Sequence, residues 1–208
     1  MFHSENSFRD DRIFTFDNVY GSGSTHMDLH QDLGRPLVEA LLQGSDACLF
    51  AYGMTGSGKT HSMTGLSSMI FTDLYRSIDE HKARDPSLSI NVSCSYTELY
   101  NEALKDLLCP PGPRANCAPL VIRETSTGGV HVKGLTEHPC GTIKEMTRLK
   151  NLGESTRKSA GHRLNLHSSR SHAIFTVKVP TSLLFFPLHV WVLYDSSASA
   201  CWGLELRV

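Results

Sequence analysis

The feature that most constrains the fold is a glycine-rich stretch, AYGMTGSGKT, at residues 51–60. Its centre, from Gly53 to Thr60, fits the pattern G-x-x-x-x-G-K-[ST], in which backbone amides surround the phosphates of a nucleotide. Glycines are needed because the loop uses backbone angles that other residues avoid and because its amides approach the phosphates closely. The apolar run at 47–52 predicts a buried strand before the loop, and a helix after it would present its positive N-terminal end to the anion. The sequence thus predicts a strand–loop–helix unit that binds a nucleotide.

The residue types at the end of the loop assign specific tasks. Lys59 is expected to reach the β- and γ-phosphates and so to act in catalysis, and Thr60 to offer its hydroxyl to Mg²⁺. The loop residues expected to contact the nucleotide are Gly53, Met54, Thr55, Gly56, Ser57, Gly58, Lys59 and Thr60. This pattern is specific for nucleotide binding, but it does not identify the reaction.

Composition and charge exclude several other classes. With 40% hydrophobic and 20% charged residues the chain is expected to be a soluble globular protein. The formal net charge of −1 does not steer the molecule toward a polyanion, so no nucleic-acid partner is expected. Six cysteines without a C-x-x-C pair are interpreted as reduced thiols in a cytoplasmic protein rather than a disulfide framework or a zinc site.

Neither a signal peptide nor a membrane span is expected. The N-terminal residues lack an apolar core. The segment from Val179 to Tyr194 has no Asp, Glu, Lys or Arg, but at 16 residues it is shorter than a bilayer requires.

The order of strands and helices predicts an α/β domain without internal repeats. The spacing of apolar residues predicts that Leu33 lies in one helix and that Leu152 faces the core from another. Strands are predicted over 12–20, 47–52, 88–100, 120–122, 130–132 and 172–179, and helices over 33–42, 70–81, 103–108 and 142–160.

Three further segments narrow the class. They are FTFDNVY at 14–20, SYTELYNE at 95–102 followed by DLL at 106–108, and NLHSSRSH at 165–172. Together with AYGMTGSGKT, in this order, they closely resemble the kinesin motor domain over about residues 12–179. The resemblance implies a P-loop NTPase fold of three layers around a central, mostly parallel or mixed sheet. It also implies Mg-ATP as ligand, ATP hydrolysis coupled to movement on microtubules, and a location on the cytoskeleton.

The resemblance assigns roles to the segment before residue 172. Asn165, Ser168 and Ser169 are expected to form the first switch loop, with Ser169 near Mg²⁺, and Arg170 to hold the closed state; all four are candidate catalytic residues. Short polar side chains of this kind suit a loop that senses the γ-phosphate. A Ser-rich turn with capping hydroxyls is the structural alternative. The resemblance also places His61 near the adenine, although a surface histidine fits equally.

Departures from the family suggest an incomplete motor. The adenine-binding first strand, the second switch and the microtubule-binding half are expected to be missing, so residues 1–179 are interpreted as a partial motor domain and 180–208 as a divergent tail. Asp195 lies at the distance of the switch aspartate, but Ala198 and Ala200 replace the expected glycine and glutamate. The loop after Gly65 is expected to be very short.

Three interpretations remain open. The first is a kinesin-type ATPase with little or no microtubule-stimulated turnover, and the second a non-motor fragment that binds nucleotide weakly or acts through protein contacts. The third, an unrelated phosphate-loop enzyme, lacks support because no N-K-x-D guanine motif is present. The basic residues before the switch are interpreted as a solvated helix face and the flank of the nucleotide site, with contact to an acidic filament as the alternative. They are Lys150, Arg157, Lys158, His162 and Arg163.

Overall fold

The computed structural model describes residues 14–110, 117, 119–124, 129–161, 171–179 and 188–194. The helices are α1 (His26–Leu29), α2 (Arg35–Leu42), α3 (Lys59–Arg84) and α4 (Ile143–Gly161), with a π-helical turn, His30–Gly34, between the first two. The strands are β1 (Ala47–Ala51), β2 (Ser93–Tyr100), β3 (Ala103–Asp106), β4 (Val121–Glu124), β5 (Val130–Lys133), β6 (His138–Pro139), β7 (Ser171–Val179) and β8 (Leu188–Tyr194).

The main sheet has the strand order β1-β8-β7-β2-β3, and β6 pairs with β2. Only the β1–β8 pair is parallel among the described strands, whereas β8–β7, β7–β2, β2–β3 and β2–β6 are antiparallel. The predicted α/β class and mixed sheet are therefore confirmed, but a mostly parallel sheet is not. The three-layer arrangement stays a prediction. Strands β4 and β5 form a separate antiparallel pair.

The hydrophobic core lies where the long helices cover the middle strands. Phe175 of β7 contacts Phe71 of α3 at 5.6 Å between ring centroids and Tyr96 of β2 at 5.2 Å, edge to face. Helix α4 passes over β2 at Gly153, where a Cβ would collide with the Tyr96 ring. A glycine is required there because the helix backbone passes directly over a buried aromatic ring.

Three of the predicted helices, over 33–42, 70–81 and 142–160, are confirmed as α2, α3 and α4, with differences at their edges. The apolar face predicted at 70–81 is buried within α3, which extends from Lys59 to Arg84. Leu33 is 38% exposed because the π-helical turn interrupts the regular spacing before α2. Leu152 of α4 is 43% exposed, so its predicted inward orientation is wrong.

Two predicted elements differ in type. Residues 103–106 form strand β3 rather than a helix, because Asn101 and Glu102 adopt positive φ angles of 48° and 62° and reverse the chain into a hairpin with β2. Residues 14–20 form no strand, and Phe14 and Phe16 are 71% and 68% exposed. Alternation of apolar residues predicted a strand at 12–20, but the described part of it has no neighbour with which to pair.

The cysteine prediction is wrong for two residues. Cys109 and Cys117 are joined by a disulfide, with 6.3 Å between their Cα atoms. Cys48, Cys94 and Cys140 are free thiols, in agreement with the expectation. Among the described residues, no group of His, Cys, Asp or Glu side chains is arranged to hold a metal ion.

The segment after residue 179 contributes to the sheet. Strand β8 lies between β1 and β7, with Val192 opposite Leu49 on one side and Phe175 on the other. Residues 188–194 therefore connect the phosphate-loop strand to the rest of the sheet, although the sequence assigned them to a tail. The division of the chain at residue 180 stays a prediction. Within the described parts of the chain, no helix is long and apolar enough to cross a bilayer.

Candidate functional site

The predicted strand–loop–helix unit is present. The apolar strand β1 ends at Ala51 and α3 begins at Lys59. The glycines between them take the positive φ angles that favour glycine: 151° at Gly53, 84° at Gly56 and 92° at Gly58. Gly58 is also the left-handed residue from which α3 starts. The loop therefore adopts the kind of backbone for which the pattern selects glycine.

Lys59 folds back over the loop that precedes it. Its Nζ donates hydrogen bonds to the carbonyl oxygens of Gly53 at 2.6 Å and Met54 at 2.8 Å. The loop is further closed by a turn in which the Ser57 amide donates to the Met54 carbonyl at 3.2 Å. The ammonium group is thus held at the loop, where its charge adds to the positive end of the helix.

The loop has the space and the charge that phosphate requires. A Cβ built on Gly56 or Gly58 would meet no heavy atom within 4 Å, so the loop is open on that side. Thr55, Gly56, Ser57, Gly58 and Thr60 are all exposed. Accessible loop residues beside a helix N-terminus and a lysine fit an anionic ligand such as a nucleotide phosphate with its Mg²⁺.

His61 has a neighbour that sequence reasoning missed. Its ring lies 4.7 Å from the ring of His26, tilted by 44°. The His26 ring in turn lies against Gly65, where a Cβ would stand 2.6 Å from it. Helix α3 runs through Gly65 without interruption, which agrees with the prediction of a very short loop there. No local sequence signal marks His26, because its contact depends on how α1 packs on α3.

The predicted switch residues cannot be compared with the structure. Asn165, Ser168, Ser169 and Arg170 lie outside the described residues, as do Asp195, Ala198 and Ala200. Their flanks are described: α4 ends at Gly161 and β7 begins at Ser171. The carboxyl end of β8 lies beside that of β1, with Tyr194 opposite Ala51. Parallel neighbouring strands therefore end together next to the phosphate loop, the edge at which open α/β sheets bind ligands.

The basic residues of α4 are not all a solvated face. Lys150 is 5% exposed and pairs with Glu154 at 2.5 Å. Arg157 turns inward to Glu98 of β2 and Ser171 of β7. Lys158 is exposed as expected, while His162 and Arg163 lie outside the described residues. The interpretation of a solvated face is therefore wrong for Lys150 and Arg157.

One thiol lies in the strand that leads into the loop. Cys48 in β1 is half-buried, and burial raises its pKa above the usual value. The group is therefore a neutral thiol at neutral pH.

The mixed sheet with its glycine loop defines the class as an α/β domain with a phosphate-binding loop. The family profile described as kinesin motor domain matches residues 2–183. Kinesin-like protein KIN-12C of Arabidopsis thaliana is 37% identical over 182 residues, covering 80% of this chain and 9% of the relative. Kinesin-like protein KIF27 of Homo sapiens is 37% identical over 181 residues, covering 81% of this chain and 12% of the relative.

Kinesin-like protein KIF3C of Bos taurus is 37% identical over 177 residues, covering 82% of this chain and 22% of the relative. The chain therefore belongs to the kinesin motor domain family. It spans between 9% and 22% of the length of these relatives, and the family implies a P-loop NTPase fold.

Proposed function

We propose that the chain binds Mg-ATP and hydrolyses it as part of a kinesin motor that moves along microtubules in the cytoplasm. The observation that carries the proposal is the loop at 53–60, with its positive-φ glycines and the Lys59 ammonium held against its carbonyls. Membership of the kinesin motor domain family selects ATP and the microtubule from the wider class of phosphate-loop proteins.

Each residue of the proposed site has a defined part. The amides of the loop and the α3 N-terminus would bind the phosphates, while Lys59 would exchange its carbonyl contacts for the β- and γ-phosphates. Thr60, together with Ser169, would hold Mg²⁺, which supplies charge neutralisation when bound. Asn165 and Ser168 would orient the attacking water, and Arg170 would hold the ordered state of that segment. His61 would contact the adenine.

Phosphoryl transfer depends mainly on positioning and charge stabilisation, so it requires both switches. Ala198 and Ala200 provide neither the amide geometry of a glycine nor a carboxylate partner for Arg170. We therefore infer that microtubule-stimulated turnover of this chain is low. The second candidate, a kinesin-like protein that binds nucleotide without motility, is favoured by the same two alanines.

The first experiment is thermal unfolding of the chain with and without Mg-ATP. Ligand at 100 times its Kd stabilises a protein by about 2.7 kcal/mol, so a clear rise in Tm is expected. Lys59→Ala is expected to abolish that rise. Lys82→Ala is the matched control, because it removes an exposed lysine from the last turn of the same helix.

A Tm that ignores Mg-ATP, or an equal rise in Lys59→Ala, would contradict the proposed site. Steady-state ATPase rates with and without microtubules then separate the two candidates. A strongly stimulated rate would exclude the non-motor function and the inferred loss of turnover.

A further inference from the structure

His26 of α1 fills a space on α3 that a glycine leaves open. A face of its ring lies against Gly65, where a Cβ would stand 2.6 Å from each of the ring atoms Cγ, Cδ2 and Cε1. The centroid of the same ring lies 4.7 Å from that of His61. Because His61 and Gly65 are four positions apart in α3, they share one face of that helix. His26 therefore occupies the place next to His61 on this face.

The backbone that carries His26 is held by a reciprocal cap. The Asp28 amide donates to the Thr25 hydroxyl at 3.3 Å, and the Thr25 amide donates to the Asp28 carboxylate at 2.7 Å. These two bonds fix the start of α1, of which His26 is the first residue. The ring of His26 thus reaches α3 from a defined position.

The contact with His26 restricts where the side chain of His61 can lie. Side chains of a helix lean toward its N-terminus, and the N-terminus of α3 carries the phosphate loop. His26 lies on the other side of His61, over Gly65. His61 is exposed and follows Lys59 by two residues, and the Lys59 ammonium is held at the loop. The imidazole of His61 is therefore kept on the side of the loop, where a ligand has access to it.

We propose that His26 is a positioning residue that holds the His61 ring beside the phosphate loop as a stacking surface for the base of the bound nucleotide. This inference rests on the proposed function, in which His61 contacts the adenine. Bases stack on the faces of aromatic side chains, and a ring that is already restrained loses less conformational freedom when it binds. His26 therefore contributes to the affinity that comes from the base and leaves the affinity for the phosphates unchanged.

The test measures by calorimetry the affinities of the chain for Mg-ATP and for the magnesium complex of inorganic tripolyphosphate, which has the phosphates without the base. The wild type is expected to prefer Mg-ATP. Because stacking on an aromatic ring contributes to base binding, His61→Ala is expected to lose about tenfold of this preference, and His26→Ala about threefold. His131→Ala is the matched control, because it removes an exposed histidine from the separate β4–β5 pair. Its preference is expected to equal that of the wild type.

Two further variants separate positioning from a merely structural role. His26→Phe keeps a ring beside His61 and is expected to retain most of the wild-type preference. Gly65→Ala keeps both histidines, but its Cβ displaces the His26 ring, so the preference is expected to fall as it does in His26→Ala. If His26→Ala does not fold, Gly65→Ala carries the test. An unchanged ratio of the two affinities in His26→Ala or in Gly65→Ala would overturn the inference, even if the Tm were lower.

The outcomes also separate this inference from the proposed function. If the wild type binds neither ligand, both are wrong. If it binds the two with equal affinity, while Lys59→Ala binds neither, the phosphate site is supported and the inference is wrong. If His61→Ala loses the preference for Mg-ATP while His26→Ala and Gly65→Ala keep it, only the role of His26 is wrong.

Discussion

The phosphate-loop edge and the middle of the sheet are built on different physical principles. Phe50 and Tyr52, at the end of β1 and the start of the loop, are 52% and 57% exposed. Tyr96 and Phe175, in β2 and β7, are 1% and 0% exposed and contact each other edge to face. The phosphate-loop edge therefore leaves large side chains exposed, whereas the middle of the sheet buries them completely, as is usual for a loop carried on a packed scaffold.

The polar contacts of the two regions differ in the same way. At the edge, the half-exposed Lys59 is held by two backbone carbonyls, contacts that a ligand can replace. In the middle, Arg157 and Glu98 form an ion pair whose carboxylate is 1% exposed. Replaceable contacts suit a binding site, and buried ones suit a fixed frame. Strand β8 is the only described strand that joins β1 to the rest of the sheet.

The largest effect is expected from disrupting β8, the strand between β1 and β7. Val192→Pro places a proline in a strand that pairs on both sides, with Leu49 of β1 and Phe175 of β7. A proline removes a ladder hydrogen bond from the strand. Leaving the partner group unsatisfied is expected to lower the free energy of unfolding by about 1–3 kcal/mol, and the Tm rise in Mg-ATP is expected to be lost. Urea denaturation and thermal unfolding measure the two quantities.

Ile122→Pro is the matched control for Val192→Pro. It places a proline in the separate β4–β5 pair, where Ile122 is 60% exposed. For this control, the rise in Tm on addition of Mg-ATP is expected to equal that of the wild type. A Val192→Pro protein that still unfolds cooperatively and still responds to Mg-ATP would show that the loop does not depend on β8.

An intermediate effect is expected from one substitution made in both regions. Replacing a helical glycine by alanine gains about 1 kcal/mol of helix propensity. At Gly153 the new Cβ meets the buried Tyr96 ring, and overpacking of about 1–3 kcal/mol leaves Gly153→Ala destabilised. At Gly65 the neighbour is His26, which is only partly buried and can move, so Gly65→Ala is expected to be nearly neutral.

The free energies of unfolding of the two alanine variants, measured in urea, test how rigid each region is. If both variants lost the same free energy of unfolding, the phosphate-loop edge would be packed as tightly as the middle of the sheet. That result would contradict the difference proposed between the two regions.

The smallest effect concerns the N-terminal cap of α1 at the edge. Hydrogen bonds from the Thr25 amide, at 2.7 Å, and from its hydroxyl lower the pKa of Asp28 below its usual value. A carboxyl whose pKa is lower in the folded state contributes stability above its unfolded pKa, and this contribution is lost as pH falls through the folded pKa. The difference in urea midpoint between wild type and Asp28→Asn is therefore expected to shrink between neutral pH and about pH 3. A difference that does not vary with pH would show that the cap is not charge-dependent.

The parts that sequence predicted well are those in which local chemistry dictates the backbone. The glycines at 53, 56 and 58 are required by their φ angles, so the pattern alone located the loop. The apolar face of α3 follows from helical spacing. The hairpin at Asn101 and Glu102 was missed because neither residue is a glycine, although both take the left-handed conformation.

Sequence alone determined the phosphate loop, the helices with a continuous apolar face and the kinesin resemblance, because these depend on neighbouring residues and short spacings. Only the tertiary structure decided that residues 188–194 form a strand beside β1, that His26 packs on His61, and that Arg157 turns inward to Glu98 and Ser171. These contacts join residues far apart in the chain, and their free energy depends on burial and on relative orientation. Local composition does not specify either quantity.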